Sequence, residues 1–363
     1  METWGKKSRL HLVKLLLFMI LLTAKDEKTH TENGWRMHAG RKIPWNLFSP
    51  KVPFRATLVP NHQHPQMLMS TGDFEIHHLT LSHHGKVKFL EGQSIGVLPT
   101  VTASPNAALA LVRLYPIASS RAGDDQRSKT FSLCVKRVLA AKRSADGVMT
   151  REDEYQASCS NYLCSLKLGD KVTITGPMGR ELLLPEDLRG HTLIFVARDL
   201  GLAPVRAHLR RLLHDRKEQG SFDGAIRVVF AGHEMYEDEM NAYESSYPKN
   251  FRYSSVDDLV ELRNQLLKDG EELWNLLQKP STHLLISGGR DLDAMMADLS
   301  TVSLDRTISV DDLRSFSRRM KRVGSRCDGA CNGSSATTGR AEVEGGCSSV
   351  QAARPSASTS ERR

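Results

Sequence analysis

Residues 195–212, FVARDLGLAPVRAHLRRL, hold the side chains best spaced to handle a phosphate. An apolar run over 193–197 reads as a buried strand, and a loop with one glycine, Gly201, follows it. Ala203 and Pro204 then open a helix whose Leu209, Leu212 and Leu213 share one face. Free N–H groups and the positive end of the helix dipole point out of such a strand-turn-helix, which suits a bound anion. Arg198 and Asp199 stand in the turn where small residues are expected. Three readings are therefore open: a nucleotide site, a damaged one, or a packing connection. Histidines 77, 78, 83 and 84 could hold a metal. Adjacent strand residues point to opposite faces, however, and no carboxylate or cysteine completes a ligand set, so none is expected. The six cysteines form no CxxC pair and no disulfide framework, a pattern that suits a reducing compartment.

Two kinds of segment must position these residues. Over 51–186 the chain reads as a small antiparallel β-barrel. FEIHHLTLSHH alternates imperfectly, with Phe74, Ile76, His78 and Thr80 opposite Glu75, His77, Leu79 and Leu81, and FSLCVKRVL and KVTITGPMG follow as strands. Over 190–322 the strands HTLIFVA, AIRVVFAG and THLLISGG alternate with helical segments. That alternation predicts a doubly wound parallel sheet with ligands at its C-terminal strand ends. No GxGxxG is present, so an ordinary dinucleotide fingerprint is lacking.

At 363 residues the chain can bury two cores, and its 40% hydrophobic content is that of a soluble globule. The formal charge of +8 suits an acidic partner or simply a solvated face. No basic run is interleaved with aromatics, so nucleic acid is not indicated. Lys6, Lys7, Arg9 and Lys14 precede an apolar run over 15–22 that fits a signal-peptide core within a leader of 1–24, leaving no membrane segment in the mature form. Residues 25–50 read as a polar disordered leader. They could also be the second half of a plastid import signal, although Asp26, Glu27 and Glu32 weaken that reading. A tail over 323–363, rich in Gly, Ser, Ala and Arg, is expected to be disordered.

Five segments, FLEGQSIGVLP (89–99), RLYPIASS (113–120), FSLCVKRV (131–138), CSNYLCSLKLGDKVTITGPMGRELLLP (159–185) and GEELWNLLQKPSTH (270–283), resemble in order and spacing the plant-type ferredoxin–NADP⁺ reductase family, as a divergent member. The resemblance covers about 51–322. It implies an FAD-binding barrel followed by an NADP-binding α/β domain, and an oxidoreductase that exchanges electrons with an acidic ferredoxin. Arg113 would pair with the FAD pyrophosphate, and Tyr115 would stack on the isoalloxazine as a catalytic residue. Ile117, Ala118 and Ser119 would continue that seat. Cys134, Val135 and Lys136 would lie along the adenosine half, and Cys159 and Ser160 would add helix-start N–H groups. The plainer alternative is that Tyr115 and Cys134 are barrel core.

The nucleotide half departs from that family. Where its turn reads Thr-Gly-Thr-Gly-[Ile/Val]-Ala-Pro, residues 198–204 read Arg-Asp-Leu-Gly-Leu-Ala-Pro. Asp199 brings a Cβ and a negative charge, which Arg198 could offset; Gly201 persists, which suits packing as well as binding. Glu237, Asp238 and Glu239 follow the next strand, either as solvated surface or as groups that repel phosphate. Arg263 is left as the one plausible 2′-phosphate partner. Pro116 stands where the family has a serine, and Ser287, the remaining catalytic candidate, stands where it has a cysteine. A covering terminal aromatic is lacking. Lys136, Arg137, Lys142 and Arg143 are candidates for a ferredoxin-facing patch. The expectation is therefore a ferredoxin–NADP⁺ reductase-type flavoprotein holding FAD with a weakened or lost NADP site, in a plastid or plastid-like organelle reached through the secretory pathway. The alternatives are an FAD-binding homologue that docks an acidic redox partner without handling NADP(H), and a secreted or ER location.

Overall fold

The structure, a computed structural model, describes residues 31–302 apart from 33, 72, 100–111, 140–158, 216–221, 278 and 280. The 1–24 leader, Lys142, Arg143 and the 323–363 tail lie outside the described residues.

An antiparallel meander comes first: β1 (Thr31–Glu32), β2 (Trp35–His38) and β3 (Arg41–Pro44). This corrects the disordered reading of 25–50 where the chain is described, from Thr31 on; residues 25–30 lie outside the described residues. The strands are too short to show a period, and what fixes them is tertiary. Ile43 is fully buried, and Gln93 Nε2 donates to Pro44 O at 2.8 Å.

The barrel follows as β4 (Phe54–Val59), β5 (Met67–Ser70), β6 (Phe74–Ser82), β7 (Ser94–Leu98), β8 (Arg113–Pro116), β9 (Thr130–Val138) and β10 (Lys171–Met178). The antiparallel sheet runs β5-β6-β4-β10-β7-β8, with β9 paired to β6. An Ile117–Leu133 bridge brings the far edge back to β9, so the sheet curls almost closed. Leu79 and Leu81 of β6, with Phe131, Leu133 and Val135 of β9, fill the interior. Ile76 and Cys134 instead join a cluster shared with the second domain. The imperfect alternation of FEIHHLTLSHH now has its reason: both faces of β6 are covered, one by barrel core and the other by the neighbouring domain.

The second domain carries β11 (Thr192–Arg198), β12 (Ala225–Ala231), β13 (Phe251–Val256) and β14 (Thr282–Ser287), all parallel in the order β13-β12-β11-β14. Its helices are α1 (Leu202–Leu209, continued by a wider turn over Arg210–His214), α2 (Glu237–Ser246), α3 (Leu259–Lys268), α4 (Gly270–Leu277) and α5 (Arg290–Val302). Leu193, Phe195 and Ala197 pack with α1 and α2, while Ile194 and Val196 pack with α3, α4 and α5. The period of two along β11 thus puts helices on both faces, which is the doubly wound sheet.

Candidate functional site

The barrel half of the site begins on β8. Arg113 and Tyr115, two residues apart on a strand, share a face; they are 6% and 2% exposed. A helix over 159–164 starts at Cys159, whose thiol meets the Tyr115 hydroxyl, with Arg113 close to both. The structure therefore brings Arg113, Tyr115 and Cys159 together, with Ser160 next in the helix. Burial pushes the Cys159 thiol up to about 11 and those of Cys134 and Cys164 up to about 12, so none of them is a thiolate at neutral pH. A guanidinium, a phenol ring and helix-start amides are the donor set that an aromatic ligand bearing phosphates requires. On that chemistry the residues fit a flavin dinucleotide. Tyr115 also belongs to the barrel's apolar cluster with Leu163 and Cys164.

Other expected flavin contacts serve the protein itself. Ile117 N donates to Gln93 O, Ala118 N donates to Ser132 O, and Ser119 Oγ accepts from Ser132 N, so this stretch fastens β8 to its neighbours. Cys134 lies against Tyr236, Val135 points into the barrel, and Lys136 Nζ sits 3.8 Å above the Phe74 ring. Arg137 is ion-paired with Glu75.

The nucleotide half is the turn after β11, a short 3₁₀ segment over Asp199–Gly201. Asp199 has φ 48°, the left-handed region in which glycine rests without cost. It fits because Gly232, at the end of β12, has no side chain: a Cβ there would lie 2.8 Å from Asp199 Oδ1. Arg198 Nε stands 3.6 Å from Asp199 Oδ2, and the same guanidinium is ion-paired with Asp291 on α5. One cation faces two carboxylates, so this trio keeps one negative charge in excess. A Cβ on Gly201 would overlap the Ser287 carbonyl, which assigns that glycine to packing between the turn and the end of β14. Ser287 is 2% exposed. Arg263 is half-buried on α3, on the opposite face of the sheet from α1.

Between the halves lies a buried polar joint that sequence reasoning missed. Arg206, with no exposed surface, donates from Nη1 to Ala118 O at 2.8 Å and Asp124 Oδ1 at 3.1 Å, and from Nε to Glu239 Oε2 at 2.7 Å. Its guanidinium lies 4.7 Å from the Tyr236 ring centre. Asp124 Oδ2 also accepts from Ser132 Oγ at 2.6 Å and Asn61 Nδ2 at 3.0 Å, and meets His78 Nε2 at 2.8 Å. Burial holds His78 below its usual value, hence neutral, and a neutral ring satisfies both contacts in one tautomer. Nε2–H donates to Asp124, and Nδ1 accepts the Tyr236 hydroxyl at 2.8 Å. Burial alone would raise Asp124 and Glu239; the Arg206 guanidinium, with His78 or His64 and Arg210, instead holds both well below the usual carboxylate range.

One expectation changes here and another gains detail. Of the histidines read for metal, His77 meets Glu75 and His78 meets Asp124, each a single hydrogen-bond partner, and His64 likewise meets Glu239. Glu239 is neither solvated surface nor a phosphate repeller: it pairs with Arg206 and Arg210 and accepts from the Tyr243 hydroxyl at 2.7 Å, whereas Glu237 and Asp238 are exposed. The available signal was Arg206 and Arg210, four apart in LAPVRAHLRRLLH and so on one face of the helix.

No protein-family model matches the chain. It is 35% identical over 264 residues to the cyanelle ferredoxin–NADP reductase of Cyanophora paradoxa, covering 69% of each, and 34% identical over 265 residues to that of a Spirulina species, covering 69% of this chain and 86% of the relative. The chloroplastic root isozyme 1 of Arabidopsis thaliana is 40% identical over 222 residues, 60% of this chain and 57% of that one. In fold, the chain is similar to ferredoxin–NADP⁺ reductase from Plasmodium falciparum, with a TM-score of 0.58 at 21% identity, covering 76% of this chain and 97% of that one. With barrel, parallel sheet and these relatives in agreement, the chain belongs to the ferredoxin–NADP reductase family of FAD- and NADP-binding oxidoreductases.

Proposed function

We propose that this protein passes electrons between an acidic ferredoxin and NADP(H) by way of FAD, with a nucleotide seat weaker than its relatives have. When bound, FAD supplies the exchange between single-electron and hydride chemistry. Arg113 and the amides at Cys159 and Ser160 would hold its phosphates, and Tyr115 would hold its ring. The observation that carries the weakened seat is the phosphate turn. Its Asp199 is left-handed and charged, and its Arg198 is shared with Asp291. Pro116 supports the same reading, because it offers neither a hydroxyl nor an N–H beside Tyr115.

The ferredoxin face is assigned on charge. Lys136 and Arg137 are engaged by Phe74 and Glu75, which lessens what they offer a partner. A plastid destination is proposed from the leader together with the chloroplastic relatives. Among the described residues no helix is long and apolar enough to cross a membrane.

The test is the purified protein. It should be yellow with flavin absorbance, should reduce a dye with reduced ferredoxin as donor, and should do so with NADPH only at raised KM. A colourless chain that FAD cannot reconstitute overturns the flavin assignment. NADPH affinity at the level of the Spirulina relative, measured side by side, overturns the weakened seat.

A further inference from the structure

We infer that Arg206 is a positioning residue: it fixes the helix behind the phosphate turn to the strand that carries Tyr115, and so sets the separation of the two half-sites. The inference rests on the placement of flavin at Tyr115 and nucleotide at the turn. Arg206 lies five residues after Gly201, on α1, the helix that the turn leads into. Its Nη1 reaches the carbonyl of Ala118, three residues after Tyr115, with no side chain in between. The link is thus from one half-site to the other through a single guanidinium.

Each end of that link is held firmly. On the barrel side, Asp124 is tied to β6 through His78, to β9 through Ser132 and to Asn61. On the sheet side, Glu239 ties α1 to α2, and Arg210 repeats the pairing one turn later with Nε 3.3 Å from Asp124 Oδ1 and Nη1 3.3 Å from Glu239 Oε1. Two arginines and two carboxylates balance in charge, and His78 is neutral. An apolar joint of the same volume would hold the domains together equally well. It would not fix their angle, because apolar packing is non-directional. A planar fork donating in three directions does fix it, and a lysine in its place, a single point charge, cannot make all three contacts. Hydride exchange is steep in distance, and a misplacement of about 1 Å can cost on the order of 10²-fold in rate.

The experiment compares the full chain with Arg206→Lys. Expected is a kcat for NADPH-driven dye reduction 10- to 100-fold lower, with KM for NADPH within about threefold and unchanged flavin content. The long-wavelength absorbance that develops when nicotinamide stacks on flavin should fall in parallel. Hydrogen exchange of the flavin-free chain should accelerate at least tenfold in both 116–124 and 199–210, with 172–175 in the barrel unchanged. Unchanged kcat, or acceleration confined to 199–210, overturns the inference. If Arg206→Lys does not fold, Glu239→Gln, which loosens the same fork from the sheet side, should give the same two signatures, and failure to do so is equally decisive. If wild-type protein takes no flavin, the functional reading fails. The exchange measurement still decides whether Arg206 couples the two segments.

Discussion

Replacing Asp199 by glycine separates two physical effects that the phosphate turn now combines. The first concerns the backbone. At φ 48° an aspartate pays for its Cβ, and glycine relieves a strain of about 1 kcal/mol. For a fold of this size that is a rise of about 2–4 °C in Tm. The second is charge. A phosphate about 4 Å from the carboxylate meets about 1 kcal/mol of repulsion in water and about 4 kcal/mol at an effective dielectric near 20. Asp199 is 29% exposed and shares Arg198 with Asp291, so about 2 kcal/mol is the appropriate figure, or about 30-fold in Kd. Asp199→Asn is the control: it removes the charge and keeps a side chain, so it should regain most of the affinity and little of the Tm. Scanning fluorimetry and calorimetric titration with NADP⁺, at low salt and at 0.5 M, give both numbers. The affinity gain should shrink at high salt, where the Debye length is a few ångström. Equal Kd in all three proteins refutes the charge reasoning, and equal Tm in wild type and Asp199→Gly refutes the strain.

Asp124→Ala leaves Arg206 and Arg210 as buried cations facing Glu239 alone, and should cost about 3–5 kcal/mol, read as a fall in urea midpoint. Gly201→Ala drives a methyl into the Ser287 carbonyl and should lower Tm by several degrees in nucleotide-free protein; an unchanged Tm would return Gly201 to a purely ligand-binding role. Stability should fall with acid in two stages. His208, fully buried and held down to about 4 by burial, binds no proton in the fold until well below its unfolded value near 6.5. The unfolded chain therefore binds more protons between about pH 6.5 and 4, and about 1.4 kcal/mol is lost per pH unit there. His78 adds to that loss in the same direction. Asp124 and Glu239, both depressed, give stability that is present above their unfolded values and is lost as pH falls through about 4.5 and below. Denaturant midpoints measured from pH 7 to 4 check the order, and a flat profile above pH 5 would contradict it.

Elements whose period matches their burial were readable in advance. β11, apolar from Leu193 to Ala197, and α1 with its leucine face are where the one-dimensional pattern places them, because each packs by hydrophobic burial that leaves a direct trace in residue type. The Arg113–Tyr115–Cys159 grouping was legible only through resemblance, since strand β8 and residue 159 are far apart in the chain. The joint was illegible for a different reason. Arg206, Asp124 and Glu239 look like surface residues until their partners are known, and a charge that is neutralised in three dimensions leaves no mark on its own neighbours in sequence. The same holds for His78, which offered metal chemistry by type and supplies a hydrogen-bonded link by position. Gly201 was read as suiting packing as well as binding, and its missing Cβ gives the packing half a concrete partner in the Ser287 carbonyl.

The N-terminal meander sets a boundary on how far the chain can be shortened. Arg41 Nη2 donates to Leu184 O at 2.7 Å and Nη1 meets Glu186 Oε2 at 3.0 Å, so β3 grips the stretch by which the chain leaves the barrel for the parallel sheet. Any shortening from the N-terminal side must stop before Arg41 to spare that grip. A recombinant start chosen at the apparent beginning of the barrel, near residue 51, would discard it, exposing the Gln93 amide and the flank of the crossover in one cut.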